Sequence, residues 1–231
     1  MKRFYNAVAT ALQGDCHQVT LDGRPLRTQA GAAQSLPTRE LAELLAGEWR
    51  DQGEEIDPHS FPLRDLADYA IDRIAPDRDA AIAALIAYAE TDTLCYRADP
   101  DEPLYRRQQE IWEPLLTQCE ARHGVRFERA SGIIHRPQPP ATLAALREAL
   151  GREDHFTLSA LNALASITAS LTVALAALEE DAEAEALFAA ANCEEDWQAE
   201  QWGWDEPAAK ARAARLEGFR KAMLFGRTAR G

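Results

Sequence analysis

Positive charge is scarce in this sequence. Against 38 Asp and Glu residues stand 25 Lys and Arg, a formal net charge of −13 at pH 7. Such a surface repels phosphate, which argues against a general nucleic-acid binder and disfavours contact with anionic membranes. It suits a soluble protein whose partner is another protein, one with a basic face. Cysteine is sparse as well. Cys16, Cys95, Cys119 and Cys193 are widely spaced and form no CxxC pair. No disulfide framework is indicated, and reduced, mostly buried thiols in a reducing cytoplasm are expected. The phosphate-cradling patterns GxGxxG and GxxxxGK[ST] are missing, as are the GxSxG elbow and the HExxH zinc signature. The five histidines, His17, His59, His123, His135 and His155, are scattered. Cys16 and His17 are neighbours, but beside an extended segment their side chains face opposite ways and do not easily share a metal.

What is present is ordinary globular material. The 231 residues are 46% hydrophobic and 27% charged, which excludes wholesale disorder. At about 100–200 residues per domain, they make one large domain or two small ones. Met1 to Asn6 opens without an apolar signal core or an Arg/Ser-rich leader, which points to the bacterial cytoplasm. Phe156 to Leu178 carries no formal charge and has the length of a membrane span. Its Ser159, Asn162, Ser166 and Ser170 step by three and four onto one helical face, so a helix buried nearly all round is the better reading.

The first third differs from the rest. Val19 to Thr28 reads as strand, Asp22-Gly23 turn, strand, the strongest short hairpin signal. Phe4 to Ala11 is a candidate preceding strand. Thr38 is a candidate N-cap for a helix whose apolar face is Leu41, Leu44, Leu45 and Trp49. Asp57-Pro58 and Phe61-Pro62 interrupt the chain before a short helix over 64–74. Beyond Pro76 helices are expected over 78–90, 104–123, 142–150, 157–178, 182–201 and 207–225, with Gly124 ending the second. Val125-Arg126-Phe127 and Gly132-Ile133-Ile134 are a candidate small hairpin. The fold class is therefore α+β: a small N-terminal α+β domain with a β-hairpin, residues 1–76, followed by a larger all-α helical domain, residues 77–231.

Carboxylates are dense at Glu179-Glu180-Asp181 and Glu194-Glu195-Asp196. The first run sits between helices and reads as a solvated or capping cluster. The second leads into a mixed stripe. Glu195, Gln198 and Trp202 step by three and four along one helix face. A core stripe would not choose Glu and Gln, and a solvent stripe would not choose Trp. The mixture suits a partner surface on which Trp anchors and the polar groups orient. The bland reading is that Trp202 caps the core and Glu195 pairs with an internal Arg; spacing leaves the two even.

These pieces together resemble a known family, the assembly chaperones of the F-type ATP synthase that act on its alpha subunit. The resemblance runs through Arg3-Phe4-Tyr5, Leu21 to Thr28, Leu36-Pro37-Thr38, Leu41-Ala42, Glu48-Trp49 with Gln52, and Ile56-Asp57-Pro58. It continues through Ala70-Ile71-Asp72, Thr91 to Tyr96, Gln109 with Trp112-Glu113-Pro114-Leu115, Ser170-Leu171 with Ala174-Leu175-Ala176, and Glu195, Gln198, Trp202-Gly203. Ser60-Phe61-Pro62 departs from the Met expected before the proline, and Trp197 from a usual Phe or Tyr; both keep apolar bulk. The resemblance implies a two-part fold without catalysis, cofactor, metal or nucleotide. It implies binding of the unassembled ATP synthase alpha subunit until the beta subunit takes its place, with Glu195, Gln198 and Trp202 as the partner contact. Leader-bearing relatives would be mitochondrial. Two alternatives stay open: a helical scaffold with another partner, or an enzyme using carboxylates or a Cys/His pair, which would show a deep cleft with convergent titratable groups.

Overall fold

The computed structural model describes residues 1–132 and 136–231. Two compact units are distinguishable. The first gathers Met1–Arg78, Asp154–Ala160 and Leu224–Gly231; the second holds Asp79–Glu153 and Leu161–Met223.

In the first unit, strand β1 (Val8–Gln13) runs antiparallel to β2 (Cys16–Leu21), with Val8 opposite Leu21 and Gln13 opposite Cys16. The two-residue β3 (Arg24–Pro25) pairs with the other edge of β2. Asp22 and Gly23 join β2 to β3 with φ of 49° and 78°, and positive φ at both central residues is what a type I′ hairpin turn needs. The Asp22 carboxylate steadies the turn by accepting the Ala7 amide at 2.8 Å and the Asn6 amide at 3.1 Å.

Helix α1 (Arg39–Arg50) starts at the predicted cap. Thr38 Oγ1 accepts the Leu41 amide at 3.1 Å and donates to the Thr228 carbonyl at 2.8 Å. Leu41, Ala42, Leu45, Ala46 and Trp49 face inward. The Trp49 ring lies 4.5 Å from Phe61 and meets Tyr5 edge-on at 5.6 Å, and the Tyr5 hydroxyl donates to the Trp49 carbonyl at 2.6 Å. Phe156 and Phe225 arrive from distant sequence to fill the same core.

Helix α2 (Pro62–Tyr69) runs on into a π-helical turn, Ala70–Ile74. The start of α2 has no side-chain cap of its own. Glu48 supplies one from α1, accepting the Leu63 amide at 2.7 Å and the Arg64 amide at 2.9 Å. Gln52 ties the intervening turn together. Its amide nitrogen donates to Ser60 Oγ at 2.7 Å and its oxygen accepts the Asp57 amide at 2.9 Å. The Glu48-Trp49, Gln52 and Asp57-Pro58 motif is thus a folding device.

The second unit is built from α3 (Arg78–Glu90), α4 (Pro103–His123), α5 (Pro140–Gly151), α6 (His155–Thr168), α7 (Leu171–Ala177), α8 (Ala184–Ala191), α9 (Cys193–Trp202) and α10 (Glu206–Arg230). The start of α6 and the end of α10 belong to the first unit. Two-residue strands β4 (Tyr96–Arg97) and β5 (Ala130–Ser131) pair in parallel. Asp92 is fully buried and serves two helix starts at once. It accepts the Leu94 amide at 3.1 Å and the Thr172 amide at 2.9 Å. Burial pushes its carboxyl above the ordinary range, against the pull of these hydrogen bonds. Burial also pushes the Cys119 thiol up to about 12 and Cys95 well above its usual value, as inert structural thiols require.

Helix α4 is the hub of this unit. Trp112 is fully buried and its indole N–H donates to the Ala190 carbonyl at 2.7 Å. Buried Gln108 accepts the Ala98 amide at 2.8 Å. Glu113 sits between two guanidinium groups, Arg97 at 2.6 Å and Arg129 at 2.7 Å, and Arg129 also pairs with Glu120.

The α+β class is as the sequence indicated, and several elements differ from expectation. The helix expected over 157–178 is two, α6 and α7, broken where Ala169 turns left-handed at φ 50°. The Thr93 backbone N–H and hydroxyl both donate to the Ala169 carbonyl, at 3.1 and 3.0 Å, which holds the break. The helix expected over 182–201 also splits, at Asn192. The Ser159, Asn162, Ser166 and Ser170 stripe dissolves with the break. Ser159 donates to the Leu66 carbonyl at 2.8 Å, Ser166 is exposed, and Ser170 caps α7. Residues 125–127 form no strand; Ala130–Ser131 pairs with Tyr96–Arg97 instead, and Ile133-Ile134 lie outside the described residues. Among the described residues, no helix is long and apolar enough to cross a membrane.

Two outcomes follow from these cores. Trp49→Arg places a charge between Tyr5 and Phe61 and lowers stability by about 4 kcal/mol, read as a fall in melting temperature of about 10 °C. Glu113→Gln leaves buried Arg97 without its counter-charge. The cost is about 2 kcal/mol, less than for a wholly buried pair because Glu113 is 39% exposed. Burial raises the Glu113 carboxyl, but the hydrogen bonds from Arg97 and Arg129 outweigh it and hold the group below its ordinary range. Its contribution is therefore present above the ordinary carboxylate range and is lost as pH falls through the depressed value. Melting temperatures taken against pH show the gap between wild type and Glu113→Gln closing on the acid side.

Candidate functional site

The predicted stripe lies on α9, a ten-residue helix. Among the residues of α9 only Cys193 is buried. The first turn, Glu194, Glu195 and Asp196, suits the positive end of the helix dipole. Gly203 closes the helix at φ 83°, a conformation that favours glycine.

Polar contacts fasten α9 on both sides. Towards α4, Glu194 accepts from Gln108 Nε2 at 2.7 Å, and Glu200 forms a two-pronged pair with Arg107 at 2.5 and 2.7 Å. The Arg107 guanidinium holds the Glu200 carboxyl below its ordinary range and also lies over the Trp197 ring, 5.6 Å from its centre. Towards α10, Asp196 receives two bonds from Arg212, at 2.8 and 2.6 Å, and Glu195 pairs with Arg215. Arg212 is further held between aromatic faces, 5.1 Å from Phe188 and 5.6 Å from Trp204, a cation–π arrangement.

Gln198 and Trp202 are left facing solvent. Trp202 is 81% exposed, so it does not cap the core. Glu195 is half-buried and paired with an arginine that is itself partly exposed. The three stripe residues share one face, a carboxylate already engaged at one end and a bare indole at the other. Trp204 stands nearby, 42% exposed. An indole this exposed on a surface otherwise rich in charge is the kind of anchor that protein interfaces use. Among the described residues, no group of three or more His, Cys, Asp or Glu side chains could hold a metal ion.

Spacing did not reveal Arg107, Arg212 and Arg215. Arg107 lies 93 positions from its partner, beyond any local pattern. Arg212 and Arg215 are three apart on α10, the i, i+3 spacing that gives one helix face. Read against the acidic run 194–196, they carried a faint signal.

The chain is 37% identical to Atp12 from Paracoccus denitrificans, whose crystal structure superposes with a TM-score of 0.92 over 99% of this chain and 98% of that one. A structure of a mutant of the same Paracoccus protein matches equally, covering 97% of that chain. The mitochondrial protein atp12 of Schizosaccharomyces pombe is 28% identical over 219 residues, 90% of this chain and 75% of the yeast protein. The family model described as ATP12 chaperone protein matches residues 2–120, more than half of the sequence, and this chain belongs to the ATP12 chaperone family.

Proposed function

We propose that this protein is an assembly chaperone that binds the unassembled alpha subunit of the F-type ATP synthase and covers its subunit interface until the beta subunit replaces it. Membership of the ATP12 chaperone family supports the reading. The observation that carries it in the structure is the exposed Trp202 indole, set on one helix face with Gln198 and Glu195. A subunit destined for a ring exposes a large apolar interface that aggregates if left open. A partner that covers it reversibly and competes with the next subunit is displaced by mass action, without ATP. Such exchange calls on no catalytic group, and the reading is of a binding protein rather than an enzyme. Its place of work is where the subunits are made, the cytoplasm in a bacterium; the fission-yeast relative is mitochondrial by name.

The test is capture. The tagged chain is co-expressed with the alpha subunit of the same organism, and beta subunit is added as competitor. The expected result is capture of alpha that beta abolishes. Capture that beta leaves intact would move the footprint off the alpha–beta interface, and no capture with both proteins folded would overturn the partner.

Two substitutions localise the contact. Trp202→Ala removes a side chain that packs little, so the melting free energy stays within about 0.5 kcal/mol while capture falls about tenfold or more, the loss of one interface hot spot. Glu195→Lys keeps the circular dichroism spectrum and loses capture. Undiminished capture by folded Trp202→Ala would remove α9 from the interface, and undiminished capture by folded Glu195→Lys would remove Glu195 from any part in it.

A further inference from the structure

The hairpin formed by α9 and the first half of α10 has little apolar glue. From Glu194 to Trp202 no side chain is buried, and from Glu206 to Gly218 none is either. What fastens α9 is a set of charged contacts on its two flanks: Glu200 to Arg107 on α4, and Asp196 to Arg212 and Glu195 to Arg215 on α10. These involve three of the four acidic side chains of α9, and the fourth, Glu194, is bonded to Gln108. A helix so held keeps its pose through charge pairs, and the groups left to meet a partner, Gln198, Gln201 and Trp202, are uncharged.

We infer that Glu195 serves the partner surface through Arg215: the arginines Arg107, Arg212 and Arg215 are positioning residues that latch α9 to α4 and α10 and thereby set the pose of Gln198 and Trp202. A lysine at position 195 would then face Arg215 with a like charge and push the end of the stripe off α10. Its effect would be displacement of the indole, with no carboxylate contact to the partner lost. This inference deepens the proposed function, and its consequence for capture rests on that reading; the latch itself does not.

A charge swap decides it. Four variants of the chain are compared with wild type: Glu195→Arg, Arg215→Glu, the double variant Glu195→Arg/Arg215→Glu, and Lys210→Glu. Among the described residues Lys210 pairs with Glu206 on its own helix, and its replacement controls for the charge change of Arg215→Glu. Backbone amide exchange in α9 and capture of the alpha subunit are both read. Each single variant at the latch should speed exchange in α9 and weaken capture about fivefold or more, the scale of coupled contacts. The double variant should restore both to within about twofold of wild type, and Lys210→Glu should move neither. Unchanged α9 exchange in both single variants would overturn the latch. Restored exchange without restored capture would overturn the positioning role, because the carboxylate itself would then be touching the partner. If the wild-type chain captures no alpha subunit, the partner reading fails while exchange still decides the latch.

Discussion

A chain of many short helices has many helix starts, and each start leaves backbone amides without partners. The buried carboxylate of Asp92 answers that constraint in the second unit. It closes the 3₁₀ turn beside it and the start of α7, 80 positions away, with one pair of oxygens. Without it, the Leu94 and Thr172 amides would be buried unpaired, at a cost of about 1–3 kcal/mol each. Glu48 plays the same part in the first unit, where it caps α2 from α1. The raised pKa of Asp92 shows the tension in the device: burial opposes the very charge that makes the carboxylate a good acceptor.

The features legible in the sequence were those with local causes. Asp22-Gly23 announced its turn because few residues accept positive φ in succession. Thr38 announced its cap because a hydroxyl just before an apolar stripe has one obvious partner. The break at Ala169 was invisible because alanine carries no signal for a left-handed backbone; Thr93 imposes it from 76 positions away. Trp112 shares its buried face with Leu116 and Cys119, at i+4 and i+7, but no local signal gives its indole the Ala190 carbonyl, 78 positions away, as partner. At the site, spacing correctly grouped Glu195, Gln198 and Trp202 on one face. It could not say which way the face points, because helical period fixes relative angles and leaves the solvent side undetermined.

Most of the resemblance to the chaperone family is carried by residues that build the fold. Glu48, Gln52, Asp57, Asp92, Trp112 and Glu113 all hold other parts of the chain in place. The α9 stripe stands apart, because two of its three residues, Gln198 and Trp202, are exposed. The net charge of −13 gains a sharper meaning here. Three of the four acids of α9 are paired with Arg107, Arg212 and Arg215, so on the proposed reading the overall charge can steer encounter from a distance while these pairs lower the charge beside Trp202.

The bond from Thr38 to the Thr228 carbonyl has a consequence for how the protein is made. The first unit is built mainly from residues early in this sequence, yet its core includes Phe225 and Ala229. Domains commonly fold from the N-terminus during synthesis, and this unit cannot close its core until the end of α10 has been made. The hairpin β1–β2 and helix α1 must wait with part of their apolar surface open. A chaperone for the exposed face of another protein thus passes through its own birth with a face exposed, and the last turns of α10 act as the bolt that ends that exposure.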